Sequence, residues 1–308
     1  MKKTGVWIAA GVLIVAMTAA AELLAEGEII FPETAALVVG AWLAPRLPWR
    51  VSPLKIFAAV SICALCGVLI VRFLPLPLLP RLLLGYCVAA VVLTCLDITL
   101  VPAVSGVLLP ILLGTDSFVY PVAAAALAGI VALGRSFLAK RQLASAEPEP
   151  KDIPAARMLL LWGGRLLVIA AVAGGALAVD APFAVAPPLL AAFTELTDAA
   201  SPGRKKPLRI WGLTVFAAIC GCGCRLLICD LAGLPLAAAT AISIGLFLLV
   251  TAKTRLFFPP AAAIAILPML VESEALWLFS AQVGAGFGAL IVIALLVFGR
   301  EGGQRSIH

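Results

Sequence analysis

Long apolar runs alternate with short charged connections along the whole 308-residue chain. The runs fall at about residues 5–22, 29–45, 54–72, 82–98, 101–114 and 118–137, and again at 158–179, 182–198, 208–229, 235–252, 259–271 and 275–298. Most approach the roughly 20 residues that a helix needs to cross about 30 Å of hydrocarbon. None shows the strict alternation of a membrane barrel strand, so helices are the expected spanning element. The pattern predicts an all-α polytopic membrane protein with twelve crossings. At 1.5 Å per residue, 101–114 and 259–271 are too short for a full crossing, and they read as short Pro-flanked helices supported by neighbouring protein. Composition agrees: 63% of residues are apolar and 12% charged, against roughly half and a quarter in soluble domains.

Charge then orients the segments. The net charge of +6 suggests nucleic acid until the charges are laid along the chain. Basic clusters lie at Lys2 and Lys3, at Arg46 to Lys55, at Arg135 to Arg157, at Arg204 to Arg209, at Lys253 and Arg255, and at Arg300 and Arg305. Acidic connections at Glu22 to Glu28, Asp116, Asp180, Asp230, and Glu272 and Glu274 fall between them. Lysine and arginine favour cytoplasmic loops, so both termini and every basic loop are expected in the cytoplasm of a cell whose cytoplasmic (inner) membrane the chain crosses. The lipid bilayer is the expected partner, nucleic acid is not, and a homo-oligomer is left open. Lys2, Lys3 and the following apolar run to Ala21 resemble a signal peptide; cleavage is disfavoured because it would remove the counterpart of segment 158–179.

Candidate chemistry is sparse. The one histidine is His308, and the eight cysteines lie in or beside apolar runs, where free cysteine behaves as a small hydrophobe. Cys220, Cys222 and Cys224 point to different sides of a helix and read as small-residue packing, not as a metal site. No nucleophile elbow, paired acid and base, or glycine-rich phosphate loop is present. The expectation is therefore a non-enzyme without cofactor or metal.

An internal repeat is the most informative feature after hydropathy. Pro48-Trp49-Arg50-Val51-Ser52-Pro53-Leu54-Lys55-Ile56-Phe57 matches Pro202-Gly203-Arg204-Lys205-Lys206-Pro207-Leu208-Arg209-Ile210-Trp211. Pro102-Ala103 with Pro110 recurs as Pro260-Ala261 with Pro268. The expected organisation is a diverged first membrane repeat over 1–143, a cytoplasmic linker over 144–156, a second repeat over 157–299 and a cytoplasmic tail over 300–308. With six segments each, the copies are parallel, related by a pseudo-twofold axis along the membrane normal.

The second copy resembles the HPP family of integral membrane proteins. Ser201-Pro202 followed by Pro207, Ile210 and Gly212 is similar to that family's Ser-Pro-x-x-x-x-Pro element, and Leu256-Phe257-Phe258-Pro259-Pro260-Ala261-Ala262-Ala263 stands where it has His-Pro-Pro-Ala-Gly-Ala. Phe258 replaces the naming histidine and Ala262 the glycine, while Pro259, Pro260 and Ala261 match. The family's upstream Gly-Ala-Ser stretch is represented only by Leu189 to Ala192. The resemblance covers about 182–298 and implies a transporter, with nitrite as one proposed substrate; any role of the signature histidine is unavailable here.

From the residues themselves, Pro102 and Pro260 are expected to start short helices, whose N-termini with Lys253 and Arg255 upstream form a candidate anion site with Phe258, Pro259, Pro260 and Ala261. Prolines that merely start or kink helices are the plainer alternative. Pro110 and Pro268 should each free a carbonyl and break the backbone. Among ionisable residues in apolar runs, Glu33, Asp97, Arg165, Glu195, Asp198 and Arg225 stand out. Glu195 and Asp198, with Asp97, are candidates for proton or cation coupling; pairing with Arg165 or Arg204 to Arg209 is the structural alternative, and Asp97, which aligns with Arg255 across the repeat, is a candidate for an ion pair with it across the pseudo-twofold axis. The expected function is a secondary transporter or channel for a small anion or organic acid, nitrite-like or carboxylate. The alternative is a non-transporting scaffold or sensor subunit. Reporters fused after Arg50, Ala146 or Lys206 should be cytoplasmic, and those at Asp116 or Ser273 external; an external reporter at Ala146 would overturn the parallel repeat.

Overall fold

Proline sets where most of the helices begin. It has no N–H to leave unpaired in a first turn, and its φ suits that position. In the computed structural model, which describes residues 3–141, 155–198 and 201–298, all regular structure among the described residues is helical. The long helices are α1 (Lys3–Leu23), α3 (Pro53–Phe73), α4 (Leu78–Cys95), α6 (Val119–Lys140), α7 (Ala155–Ala178), α9 (Pro207–Cys224), α10 (Leu236–Thr254) and α12 (Leu276–Val297). All eight are long and apolar enough to cross a membrane. The short ones are α2 (Glu33–Val38), α5 (Pro102–Leu113), α8 (Pro187–Leu196) and α11 (Pro259–Ile266). Proline opens α3, α5, α8, α9 and α11, and immediately precedes α2, α4 and α10. At α3 the Ser52 hydroxyl also accepts from the Lys55 amide at 3.4 Å. The linker expected over 144–156 and the tail over 300–308 lie outside the described residues, except that α7 already begins at Ala155.

Two runs expected to be single crossings are broken. Residues 29–45 divide into a 3-10 turn (Gly27–Ile29), α2 and a wide π turn (Val39–Leu43). Residues 182–198 divide into a 3-10 turn (Pro182–Val185) and α8. The prolines at 32, 182 and 187 have no amide to donate where a continuous helix would need one. Four short helices result, where the length argument identified two.

Chain direction follows from the contacts at the helix ends. Arg50 is ion-paired with Asp97, and Lys55 Nζ donates to the Leu96 carbonyl at 2.7 Å, so the start of α3 and the end of α4 share one face, the basic end. Arg72, at the far end of α3, donates to the Asp116 carbonyl at 3.3 Å, which places the connection after α5 at the opposite, acidic end. α5 thus runs from the basic toward the acidic end antiparallel to α4, but its 12 residues span far less depth than the 21 of α3. The segment around α2 runs along part of α6: Phe31 meets Tyr120 edge-on near one end, and Arg135 donates to the Ala41 carbonyl at 3.0 Å near the other.

The short helices form the centre. α2 packs on α11, α11 on α8, α8 on α5 and α5 on α2, closing a ring that is almost wholly buried. Around it lie α3, α4 and α6 on one side and α9, α10 and α12 on the other, while α1 lies on α10 and α7 on α4. Among the described residues, four non-glycine positions turn left-handed at helix ends: Ala25, Asp97, Asp180 and Arg255.

Between apolar helices in lipid, association rests on close packing and polar contacts and not on release of water. Glycine supplies the closest approaches. Gly67 of α3 faces the Val107 carbonyl and Pro110 of α5, and Gly221 of α9 faces the Ala265 carbonyl and Pro268. On α12 it is Gly286 that lies against backbone, at Ala184, while Gly284 and Gly288 meet only the side chains of Val215 and Trp211 of α9, and Trp211 Nε1 donates to the Gly284 carbonyl at 2.8 Å.

A methyl at Gly221 would lie 2.7 Å from the Ala265 oxygen and 2.9 Å from Pro268 Cγ. Gly221→Ala is therefore expected to destabilise by about 1–3 kcal/mol. Gly223→Ala, in open space on the same helix, should be neutral or stabilising by up to about 1 kcal/mol. Thermal melting in detergent separates the two; equal melting points would refute the close contact.

Candidate functional site

A proline inside a helix leaves the carbonyl four residues earlier without its donor. In α5 that carbonyl belongs to Gly106, and the Tyr120 hydroxyl of α6 donates to it at 2.9 Å. The helix consequently runs through Pro110 unbroken. In α11 the outcome differs: the α-helix stops at Ile266 and continues as a 3-10 turn (Leu267–Leu270), while Ser243 of α10 donates to the Ala265 carbonyl at 2.9 Å. The backbone break expected at both prolines occurs only at Pro268.

The basic end carries the residues singled out in the sequence. Phe258 is the residue before α11, 2% exposed, and stacks on Phe287 of α12 with ring centroids 5.8 Å apart. Pro259, Pro260 and Ala261 are buried beneath it, whereas Lys253 and Arg255 are exposed. Pro259 and Pro260 have no N–H, and the Ala261 amide is taken by the Phe258 carbonyl at 3.1 Å. Pro102 is buried likewise, and the amides of Ala103 and Val104 are taken by Leu100 and Val101. The structure thus brings the Pro-Pro segment and Phe258 together but leaves the two cations on the surface.

Asp97 is not partnered by Arg255. It pairs with Arg50, whose amide donates to Thr99 Oγ1 at 2.8 Å, so this corner latches the connection before α3 onto the start of α5. Glu195 and Asp198 sit at the end of α8, where Trp49 faces Glu195. Arg165 of α7 donates to Thr197 Oγ1 at 2.7 Å and lies 4.5 Å from the centre of the Trp162 ring. Trp162 in turn meets Tyr86 of α4 edge-on, and the Tyr86 hydroxyl bonds Thr194 at 2.9 Å. Arg204 donates to the Leu196 carbonyl at 2.7 Å. Two arginines therefore serve the C-terminal end of α8, where cations suit the helix dipole. Arg225 pairs with Asp230 at 3.0 Å in a π turn (Arg225–Leu231), away from this cluster.

The acidic end holds what sequence reasoning left without a role. A cavity of about 430 Å³ is lined by Glu28, Leu109, Leu112, Thr115, Tyr120, Phe183, Leu270 and Glu272, among others. It therefore draws on both halves of the chain, above the C-terminal ends of α5 and the 3-10 turn after α11. Glu33 is 1% exposed, with the Ser105 hydroxyl and its own first-turn amide as its polar neighbours, and neither carboxylate oxygen reaches good hydrogen-bond geometry. Its place in an apolar run marked it in the sequence; the cavity above it depends on chain crossings that no local pattern encodes. No protein-family model matches the chain, nor does any curated protein or solved structure.

Tyr120→Phe should destabilise by about 1–3 kcal/mol, because it leaves the Gly106 carbonyl buried and unpaired. In a Pro110→Ala background the restored amide supplies that carbonyl, so the same substitution should there cost little. Melting temperatures of the four proteins check the cycle, and equal losses in both backgrounds would refute it.

Proposed function

We propose that this protein is a secondary transporter or channel for a small anion or organic acid. The observation that carries the proposal is the ring of short helices. Helix ends and unpaired backbone are tolerated at membrane depth only where protein surrounds them or a cavity is lined, and ionisable groups there commonly mark pathways. The ring meets that description. A cavity opens toward one end of it, and Arg165 and Glu195 lie in a polar cluster at the other.

The two halves are proposed to be parallel repeats about an axis along the membrane normal, in the cytoplasmic membrane with both termini inside. Ala25 and Asp180 share a left-handed turn 155 residues apart, and Asp97 and Arg255 another 158 apart. The contact of Gly67 with Pro110 recurs as that of Gly221 with Pro268, and α1 lies on α10 as α7 lies on α4. These pairs support the repeat, and with it a diverged relative of the HPP family. A scaffold or sensor subunit is the second reading, favoured by the dry packing of Phe258 to Ala261.

Uptake of nitrite, nitrate, formate and short carboxylates into proteoliposomes, with and without a pH gradient, tests the proposal. Arg255→Gln should weaken apparent affinity, through the field that exposed cations at the basic end lend to an approaching anion and not through a contact at the buried start of α11, without disturbing insertion. Glu195→Gln should remove the response to the gradient while leaving substrate exchange intact. If no anion moves, or both variants behave as the parent, the scaffold reading replaces transport.

A further inference from the structure

Glu33 and the cavity at the acidic end lie one helical layer apart. Leu109 lines the cavity, and Ser105, which stands beside Glu33, is four residues earlier on α5, about 6 Å deeper at 1.5 Å per residue. Ile30 lines the cavity three residues before Glu33. Tyr120 spans the two layers. Its ring forms part of the cavity wall against Phe31, and its hydroxyl reaches the Gly106 carbonyl, next to Ser105. The carboxyl is thus separated from the cavity by little more than one tyrosine.

The charges around it are few. From α6 the titratable group is Tyr120; from α5 there is only the Ser105 hydroxyl; α11, from Pro259 to Ile266, contributes none. On α1 the nearest acid is Glu22, committed to the amides of Leu236 and Ala237 at the start of α10. Before α2 stands Glu28, itself in the cavity wall, and Cys63 of α3 lies beyond Tyr120. Arg135 is occupied at the other end of α2, on the Ala41 carbonyl. Among the described residues no lysine or arginine lines the cavity, while Glu28 and Glu272 do. Such a mouth favours cations. One carboxylate and one hydroxyl fall well short of the six or more oxygens a divalent ion takes, and a monovalent metal ion would likewise lack a coordination shell here, whereas a proton needs a single carboxylate oxygen.

We infer that Glu33 is a proton-exchanging carboxyl reached from the acidic-end cavity, with Tyr120 as the partition between them. The proton passes from water in the cavity to a Glu33 carboxylate oxygen and returns the same way, with no covalent bond formed to any other group. Its link to transport rests on the function proposed above, with Glu33 and Glu195 serving opposite ends; proton exchange itself does not.

Infrared difference spectra of the full chain in liposomes, stepped between acid and alkaline buffer, test this without any transported anion. The expected result is a pH-dependent carboxylic C=O band that Glu33→Gln abolishes and that Glu28→Gln and Glu195→Gln retain. Glu33→Asp should shift it. With Glu33 intact, Thr115→Cys modified by a bulky membrane-impermeant thiol reagent should slow exchange of the band, with the similarly treated parent as control. Persistence of every pH-dependent band in Glu33→Gln, or an unaltered exchange rate in modified Thr115→Cys, overturns the inference even if anions are carried. If the band behaves as expected and no anion moves, the transport proposal fails alone.

Discussion

A helix too short to reach water at both ends must satisfy its terminal carbonyls and amides from protein, because lipid offers no partner. The four central helices of this chain are all in that position. Side chains of the longer helices and their connections meet the need: Arg135 at the Ala41 carbonyl, Arg204 at Leu196 and Ser243 at Ala265, while Tyr120 does the same for the Gly106 carbonyl that Pro110 frees inside α5. Each bond ties a short central element to its surroundings, so the polar contacts that permit short helices also hold the ring in place. The glycines at 67 and 221 complete the arrangement by letting backbone approach backbone where those helices bend or carry proline.

The same constraint sorts the charged groups. Arginines are drawn to the C-terminal ends of short helices, where carbonyls and the dipole favour them. Acids such as Glu22 instead serve amides at a helix start. Arg50, Asp97 and Lys55 form a latch at the basic end, and Arg225 pairs with Asp230 elsewhere. Against this background Glu33 is distinctive: it is buried at the centre, in the first turn of α2 beside the Ser105 hydroxyl, and among the described residues it faces no cation. An acid at such depth without a cation beside it is where chemistry is to be sought.

Much of the architecture is legible along the chain because hydropathy and proline act locally. Apolar run length separates spanning helices from connections, and the prolines at 53, 102, 207 and 259 open helices where a missing amide does no harm. Other properties lie between segments. The sequence marks Pro110 and Pro268 alike, yet Tyr120 preserves one helix, while the other becomes a 3-10 turn. It marks Lys253 and Arg255 beside Pro259, but burial of Phe258 against Phe287 separates the cations from the helix start. It marks Glu33 as an ionisable residue in an apolar run, without the cavity above it. A cavity is the space left among helices distant in sequence, and a carbonyl's partner comes from whichever helix packs beside it. Local pattern therefore determines which elements form, and only their packing decides which polar groups are satisfied and which remain available for function.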